Sequence, residues 1–252
     1  MVTIETVNLE SKSEINAFVQ FQYDLYRDVP QFTPPFYNDI KLMLNKKKHP
    51  FYERSDGEFY VAKKDGKIVG KLGILENKPF NDYHKTTKAQ FYLFDCINDQ
   101  EVANKLFETA FAWCRARGLT EVVGPKGLSA FDGYGILVEG FEHHQMMTMM
   151  NYNFPYYSTL LENLGFEKEV DFVSCYIHRD HFQLPEKVRM VAERVLEKGN
   201  FKIVRFKNKR EMMKNYADKL GRAYNDTFIN NWEYYPLSEG EVKLLVDNLM
   251  VV

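Results

Sequence analysis

The chain has 252 residues, 45% hydrophobic, 27% charged and 15% aromatic, with 33 Lys+Arg against 35 Asp+Glu and a formal net charge of -2. That size fits one large domain or two small ones, and the composition excludes a disordered or collagen-like chain. The charge balance offers no positive field to a phosphate backbone, so nucleic acid is not an expected partner. No apolar run reaches the ~18 residues of a membrane helix. Met1 to Glu10 carries two acids and no base, the reverse of a signal peptide, which predicts a cytoplasmic protein without a membrane span. Cys96, Cys114 and Cys175 are odd in number and form no C-x-x-C pair. They predict reduced thiols rather than disulfides or a zinc site, with Cys114 and Cys175 acting as small buried hydrophobes.

In chain order, Thr3 to Val7 alternates as a short strand, and Ser11 to Arg27 carries Ile15, Phe18, Phe21, Leu25 and Tyr26 at helical spacing behind a Ser11 or Ser13 cap. Pro30, Pro34 and Pro35 break that helix, and Phe36 to Leu44 starts another, ending in the basic cluster Asn45 to His49. Glu58–Ala62 and Lys67–Leu75 read as an antiparallel pair turned by Asp65-Gly66. Ala89–Ile97 is a third apolar run. A helix Glu101–Arg117 follows, capped by Asn98-Asp99 and stopped at Gly118, and Thr120–Val123 then runs parallel to the previous strand, making a β-α-β unit.

After that unit comes the turn-rich stretch Gly124-Pro125-Lys126-Gly127-Leu128-Ser129 with Asp132-Gly133-Tyr134-Gly135, a loop placed where function concentrates. A short helix Tyr156–Leu164 closes on Gly165-Phe166, and a strand is expected at Phe172–Ile177. Pro185–Gly199 reads as a connecting helix with Val188, Val191, Ala192, Val195 and Leu196 on one face.

The order β-α-α-β-β-β-α-β-α-β over Met1 to about His178 resembles the acyl-CoA N-acyltransferase (GNAT) superfamily. The segments Asp28-Val29-Pro30, His49-Pro50-Phe51-Tyr52, Gly124-Pro125, Gly135 to Phe141 and Tyr152 to Tyr157 resemble, more closely, a bacterial GNAT-like family of unassigned substrate. That family is similar to tandem acyltransferases, with two GNAT-like halves in one chain. The fold class implied is α/β (α+β), a mixed central sheet flanked by helices and followed by the start of a second half. An internal echo agrees: Lys202–Phe206 resembles the opening strand, Arg210–Tyr224 the first helix, and Val242–Val246 the run Ile40–Leu44. The expected division is a domain over 1–178, a connecting helix over 179–200 and an incomplete second half over 201–252, as in a longer tandem protein cut short.

The resemblance implies transfer of an acyl group from a CoA or carrier-protein thioester to an amine, with acyl-CoA or CoA as cofactor, a small-molecule acceptor and no metal. In the family a glycine-rich loop at the start of the helix after the splayed strand cradles the pyrophosphate. Here that place reads Cys96 to Ala103, with Asp99 and Glu101 and no glycine. A tyrosine four residues before the last Gly-Phe serves many members as general acid; Leu161 stands there, leaving Tyr156 and Tyr157 as catalytic candidates. Asp95 is a candidate base, set against a plain capping role. Ser129, Asp132 and Asn153 are candidate substrate-binding groups, and Met146, Met147, Met149 and Met150 could line an acyl tunnel or fill the core. The pair His143-His144 lacks a third ligand at sensible spacing. The alternative to an enzyme is a catalytically degenerate GNAT-like protein that binds a metabolite or partner.

Overall fold

The apolar alternation of the first part of the chain builds one sheet of five strands, in the order β1 (Val2–Thr6), β2 (Asp56–Lys64), β3 (Lys67–Glu76), β4 (Lys88–Cys96) and β5 (Glu121–Val123). This computed structural model describes residues 1–129, 132–145, 150–175, 177–178, 180–199 and 204–249. β1 to β4 pair antiparallel. β5 lies parallel to β4, as a strand reached through a crossover helix must. The β2–β3 turn is the expected Asp65-Gly66, both residues at positive φ (52° and 75°), the geometry that matches the twist of a hairpin.

Two apolar layers cover the sheet. On one face α4 (Gln100–Ala116) buries Val102, Leu106, Ala110 and Trp113 against Phe91 and Phe94, and α5 (Tyr156–Glu162) joins them through Tyr157, Leu160 and Leu161. On the other face α1 (Lys12–Leu25) and α2 (Tyr37–Met43) bring Phe18, Val19 and Ile40 onto Phe59, Val61 and Leu75. Ser11 caps α1 by accepting a hydrogen bond from the Glu14 N–H. Opposite β3, the register runs Gly70 to Cys96 and Lys71 to Asp95, then Gly73 to Tyr92, so β4 carries one residue more than β3 over this stretch. Leu93 occupies the resulting bulge at φ 52°.

Several expectations are corrected. A helix α3 (Lys78–His84) stands where none was expected. Asn77 caps it by accepting from Phe80 N–H, with Pro79 in its first turn. The described residues of Phe172–Ile177 form no strand, and Phe172, Val173 and Ile177 are exposed, as is Cys175; an apolar run alone does not make a strand without a neighbouring edge to pair with. The connecting helix forms as α6 (Glu186–Glu197), yet Val188, Val191 and Leu196 lie open, since no described element packs on that face. Residues 204–206 are not a strand, while 202 and 203 lie outside the described residues.

The later helices α7 (Lys209–Thr227) and α8 (Glu239–Leu249) pack on each other, and α8 reaches the short 3-10 helix Pro50–Glu53. Tyr235 is buried there with its hydroxyl 2.9 Å from Glu241 Oε1, and His84 Nε2 lies 2.7 Å from the Tyr234 carbonyl oxygen. Lys126, in the loop after β5, forms a buried ion pair with Glu233. Its Nζ lies 4.0 Å from the Phe80 ring centre and 6.0 Å from that of Trp232.

Candidate functional site

β3 and β4 bring two opposite charges into the interior. Lys71 Nζ lies 3.1 Å from Asp95 Oδ2, with side chains 0% and 5% exposed. The two are in charge contact without hydrogen-bond alignment, and Lys71 Nζ also sits 5.0 Å from the Phe18 ring centre. Tyr157 donates to Asp95 Oδ1 at 3.3 Å, and Tyr26, at the end of α1, donates to the Tyr157 hydroxyl at 3.1 Å. Burial pushes the Asp95 carboxyl above its ordinary range, with Lys71 pulling the other way; burial likewise lowers Lys71, opposed by Asp95. Desolvation holds Tyr26 and Tyr157 well above the ordinary phenol range, so both stay protonated.

Asp95 and Tyr157 form part of the wall of a cavity of about 110 Å³. Phe32, Thr33 and Pro35 from the α1–α2 connection and Tyr152 from the loop before α5 also line it. Tyr26 stacks between Phe32 and Phe154, at 4.4 and 4.8 Å between ring centres. An aromatic-walled cavity with one carboxylate at its side suits a cationic group such as an alkylammonium.

Of the residues expected from sequence, Asp95, Tyr157 and Asn153 are brought to this cavity, and Ser129, Asp132 and Tyr156 are not among its lining. Asn153 accepts from Leu137 N–H at 2.6 Å and donates to the Leu137 and Phe154 carbonyls, so it clamps the loop. Asp132 Oδ2 accepts from Ser129 N–H (2.7 Å) and Oγ (3.2 Å), tying position 132 back to position 129. Burial raises its carboxyl, with the Ser129 bonds opposing. Met146, Met147 and Met149 lie outside the described residues, while Met150 lines the cavity. His143 pairs with Glu142 at 3.3 Å and His144 Nδ1 faces the Gln145 carbonyl. Among the described residues no three His, Cys, Asp or Glu side chains gather as a metal site. Sequence reasoning missed Lys71 and Tyr26. The available signal was a lone lysine inside the apolar run Ile68 to Leu75 of an inner strand.

Beyond their three-residue ladder β4 and β5 part, and the Phe91 carbonyl accepts from Lys126 N–H instead. The Cys96 N–H donates to the Tyr157 hydroxyl (3.1 Å), and the Tyr156 hydroxyl donates to the Cys96 carbonyl (2.7 Å). Both tyrosine hydroxyls expected to act on a leaving thiolate are thus engaged with the β4 backbone. At the start of α4, Asp99 accepts from Glu101 N–H at 3.0 Å and pairs with Lys64 at 3.0 Å. A carboxylate already holds the N–H group that a pyrophosphate would need, and it would repel one. The residues at this corner do not fit coenzyme A.

An antiparallel run of four strands, a crossover helix, a fifth strand parallel to the fourth and diverging from it, and a helix entering the divergence together define the architecture. The fold is GNAT-like. No family model matches the sequence. The chain is 26% identical over 239 residues to Protein YghO of Escherichia coli (strain K12), covering 95% of this chain and 60% of that protein. It is 24% identical over 250 residues to the bacterial ceramide synthase of Caulobacter vibrioides (strain NA1000 / CB15N), covering 99% of this chain and 64% of that protein. It therefore spans less than two thirds of the length of these curated relatives. Among solved structures, a tandem GNAT protein from the clavulanic acid biosynthesis pathway superposes with a TM-score of 0.45 at 12% identity, over 66% of this chain and 43% of that one. The GNAT-like domain carries its cavity on the α1 side of the sheet, and no helix among the described residues is long and apolar enough to cross a membrane.

Proposed function

We propose that this chain belongs to a cytoplasmic N-acyltransferase in which the α1-side cavity takes the amine and Asp95 receives its proton. The observation that carries this reading is the buried Asp95 carboxylate at the cavity wall, flanked by Lys71 and Tyr157. An amine in water is an ammonium ion and must lose a proton before it attacks an acyl carbon. A carboxylate raised by burial is a better proton acceptor than one in water. Tyr157 orients it through Oδ1 and Lys71 stabilises its charged form from the Oδ2 side. An activated acyl group, as a carrier-protein or CoA thioester presented at the cavity mouth, supplies the electrophile. The new N–C bond forms as the C–S bond breaks; one ammonium proton goes to Asp95, and a second ends on the departing sulfur.

The relative named a ceramide synthase suggests the acceptor class, a long-chain amino alcohol whose head enters the cavity while its tail stays outside. Residues from 201 on are read as the opening of a second GNAT-like half, following a domain over 1–178 and a connecting stretch over 179–200. The test is to incubate the protein with long-chain acyl thioesters and such an amine, and to follow the amide by mass spectrometry. Amide formation that drops by about 100-fold or more in Asp95→Asn is expected, the usual scale for a lost proton-transfer group. Equal turnover by Asp95→Asn would remove Asp95 from the chemistry. The engaged tyrosines and the occupied α4 start favour a second reading, a ligand-binding domain without turnover; it is supported if the amine raises thermal stability while no donor yields amide.

A further inference from the structure

The two backbone polar groups of Cys96 lie where β4 has lost its β5 neighbour, and two side chains of α5 satisfy them. Unpaired backbone groups at a strand divergence are the natural anchor for an extended, amide-bearing ligand. Here they already have partners. The same helix is fastened to the first turn of α4: Gln100 Nε2 donates to the Leu160 carbonyl at 3.1 Å, and Asn163 Nδ2 donates to Gln100 Oε1 at 3.0 Å. Aromatic packing fixes the tyrosines. Tyr157 lies 5.4 Å from Phe94 and 5.2 Å from Tyr156, and Tyr156 stacks on Phe154 at 5.3 Å. Just beyond, Asp99 caps α4 and pairs with Lys64.

We infer that α5 is a built-in plug: Tyr156 and Tyr157 take the Cys96 backbone groups and Gln100 locks the helix in place, so a nucleotide thioester is shut out of the β4–α4 corner. The proposal bears on the acyl-transfer reading by requiring the acyl group to arrive at the cavity mouth, but its geometry does not depend on that reading.

The test follows backbone NMR signals of the whole chain during titration with coenzyme A and with acetyl-CoA, alongside hydrogen exchange at Cys96. In the wild-type protein, residues 96–103 should show no saturable shift with either compound up to millimolar concentration. In Tyr157→Phe the Cys96 amide should exchange roughly five- to tenfold faster relative to the Phe91 amide, the equivalent of one ordinary hydrogen bond. Saturable shifts across 96–103 in the wild type overturn the plug, and so does unchanged Cys96 exchange in a folded Tyr157→Phe. Should that variant fail to fold, the wild-type titration still decides. Neither readout needs turnover, so failure of the plug and failure of the acyltransfer reading are told apart.

Discussion

Among the described residues two lysines, Lys71 and Lys126, are buried against carboxylates, and they serve different regions. Lys71 and Asp95 face each other across β3 and β4, inside the sheet and beside a cavity. Lys126 and Glu233 join the loop after β5 to the segment before α8, under the rings of Phe80 and Trp232. Burial depresses both lysines, with the carboxylate partner opposing in each case. The first pair has no role in joining elements, since the β3–β4 ladder already does that. The second fastens two parts of the chain 107 residues apart. A buried ion pair is weak support for stability by itself, because desolvation offsets much of the attraction. The difference therefore teaches that Lys126–Glu233 is explained by the junction it makes, whereas Lys71–Asp95 calls for a reason in chemistry.

The sharpest way to break that contrast is Lys71→Met. It strands Asp95 without its countercharge, and a loss of about 3–5 kcal/mol is expected by chemical denaturation. Adding Asp95→Leu should recover most of it while abolishing any function of the cavity; a double variant as unstable as the single one would mean the pair is structural. The next effect is one of acid. His49 is buried at the end of the α1-side layer, its Nδ1 accepting from Phe51 N–H, and burial pulls it down from 6.5 to about 4. The unfolded chain therefore binds the proton first. Stability from neutral His49 is complete above about pH 6.5 and declines as pH falls towards 4, by up to about 3 kcal/mol. Denaturation midpoints of wild type and His49→Gln, compared across that window, should converge at low pH, and a constant gap would reject the assignment.

Lys126→Ala should cost less, about 2 kcal/mol, because its pair lies nearer solvent and Glu233 can rehydrate. Its signature is local: hydrogen exchange should quicken over 233–246 and leave β2–β4 unchanged. Exchange rising evenly over both would merge the two pairs into one cooperative unit. The smallest change is Tyr26→Phe, which removes one hydroxyl from the Asp95 cluster and should lower stability by about 1 kcal/mol. If amide formation then shifts in its pH profile without losing the fold, Tyr26 is shown to act on Asp95 rather than on packing.

Much of the sheet was legible because its signals are local. Asp65-Gly66 specifies its own turn, and the 3.6-residue spacing of Val102, Leu106, Ala110 and Trp113 specifies a helix and hence the parallel partner of β4. What failed depends on neighbours. Phe172–Ile177 is apolar enough for a strand, but pairing is a property of two strands, and the described part of this one has none. The apolar face of α6 was correct as a face and incorrect as a buried one. At the site, Asp95 was found because a carboxylate in an apolar strand end stands out. Lys71 was passed over since a strand lysine is ordinarily a solvated one. Asn153, Ser129 and Asp132 have the right polarity for ligands, yet their described bonds go to the backbone and to each other, which composition does not reveal.

The extra residue at Leu93 has a consequence best put as parity. Along a strand, odd and even positions face opposite ways, and a bulge takes up one extra residue without exchanging the two sets beyond it. Positions 92 and 95, three apart, would lie on opposite sides of a regular strand; with Leu93 taken up in the bulge, Tyr92 and Asp95 both reach the wall of the same cavity. Deleting Leu93 would leave Tyr92 and Asp95 two positions apart and still on one face, removing only the local bend, whereas regular pairing of the full-length strand would turn Asp95 towards the layer of Phe91 and Phe107. Here the bulge, and not any one side chain, decides which face of the sheet the carboxylate takes.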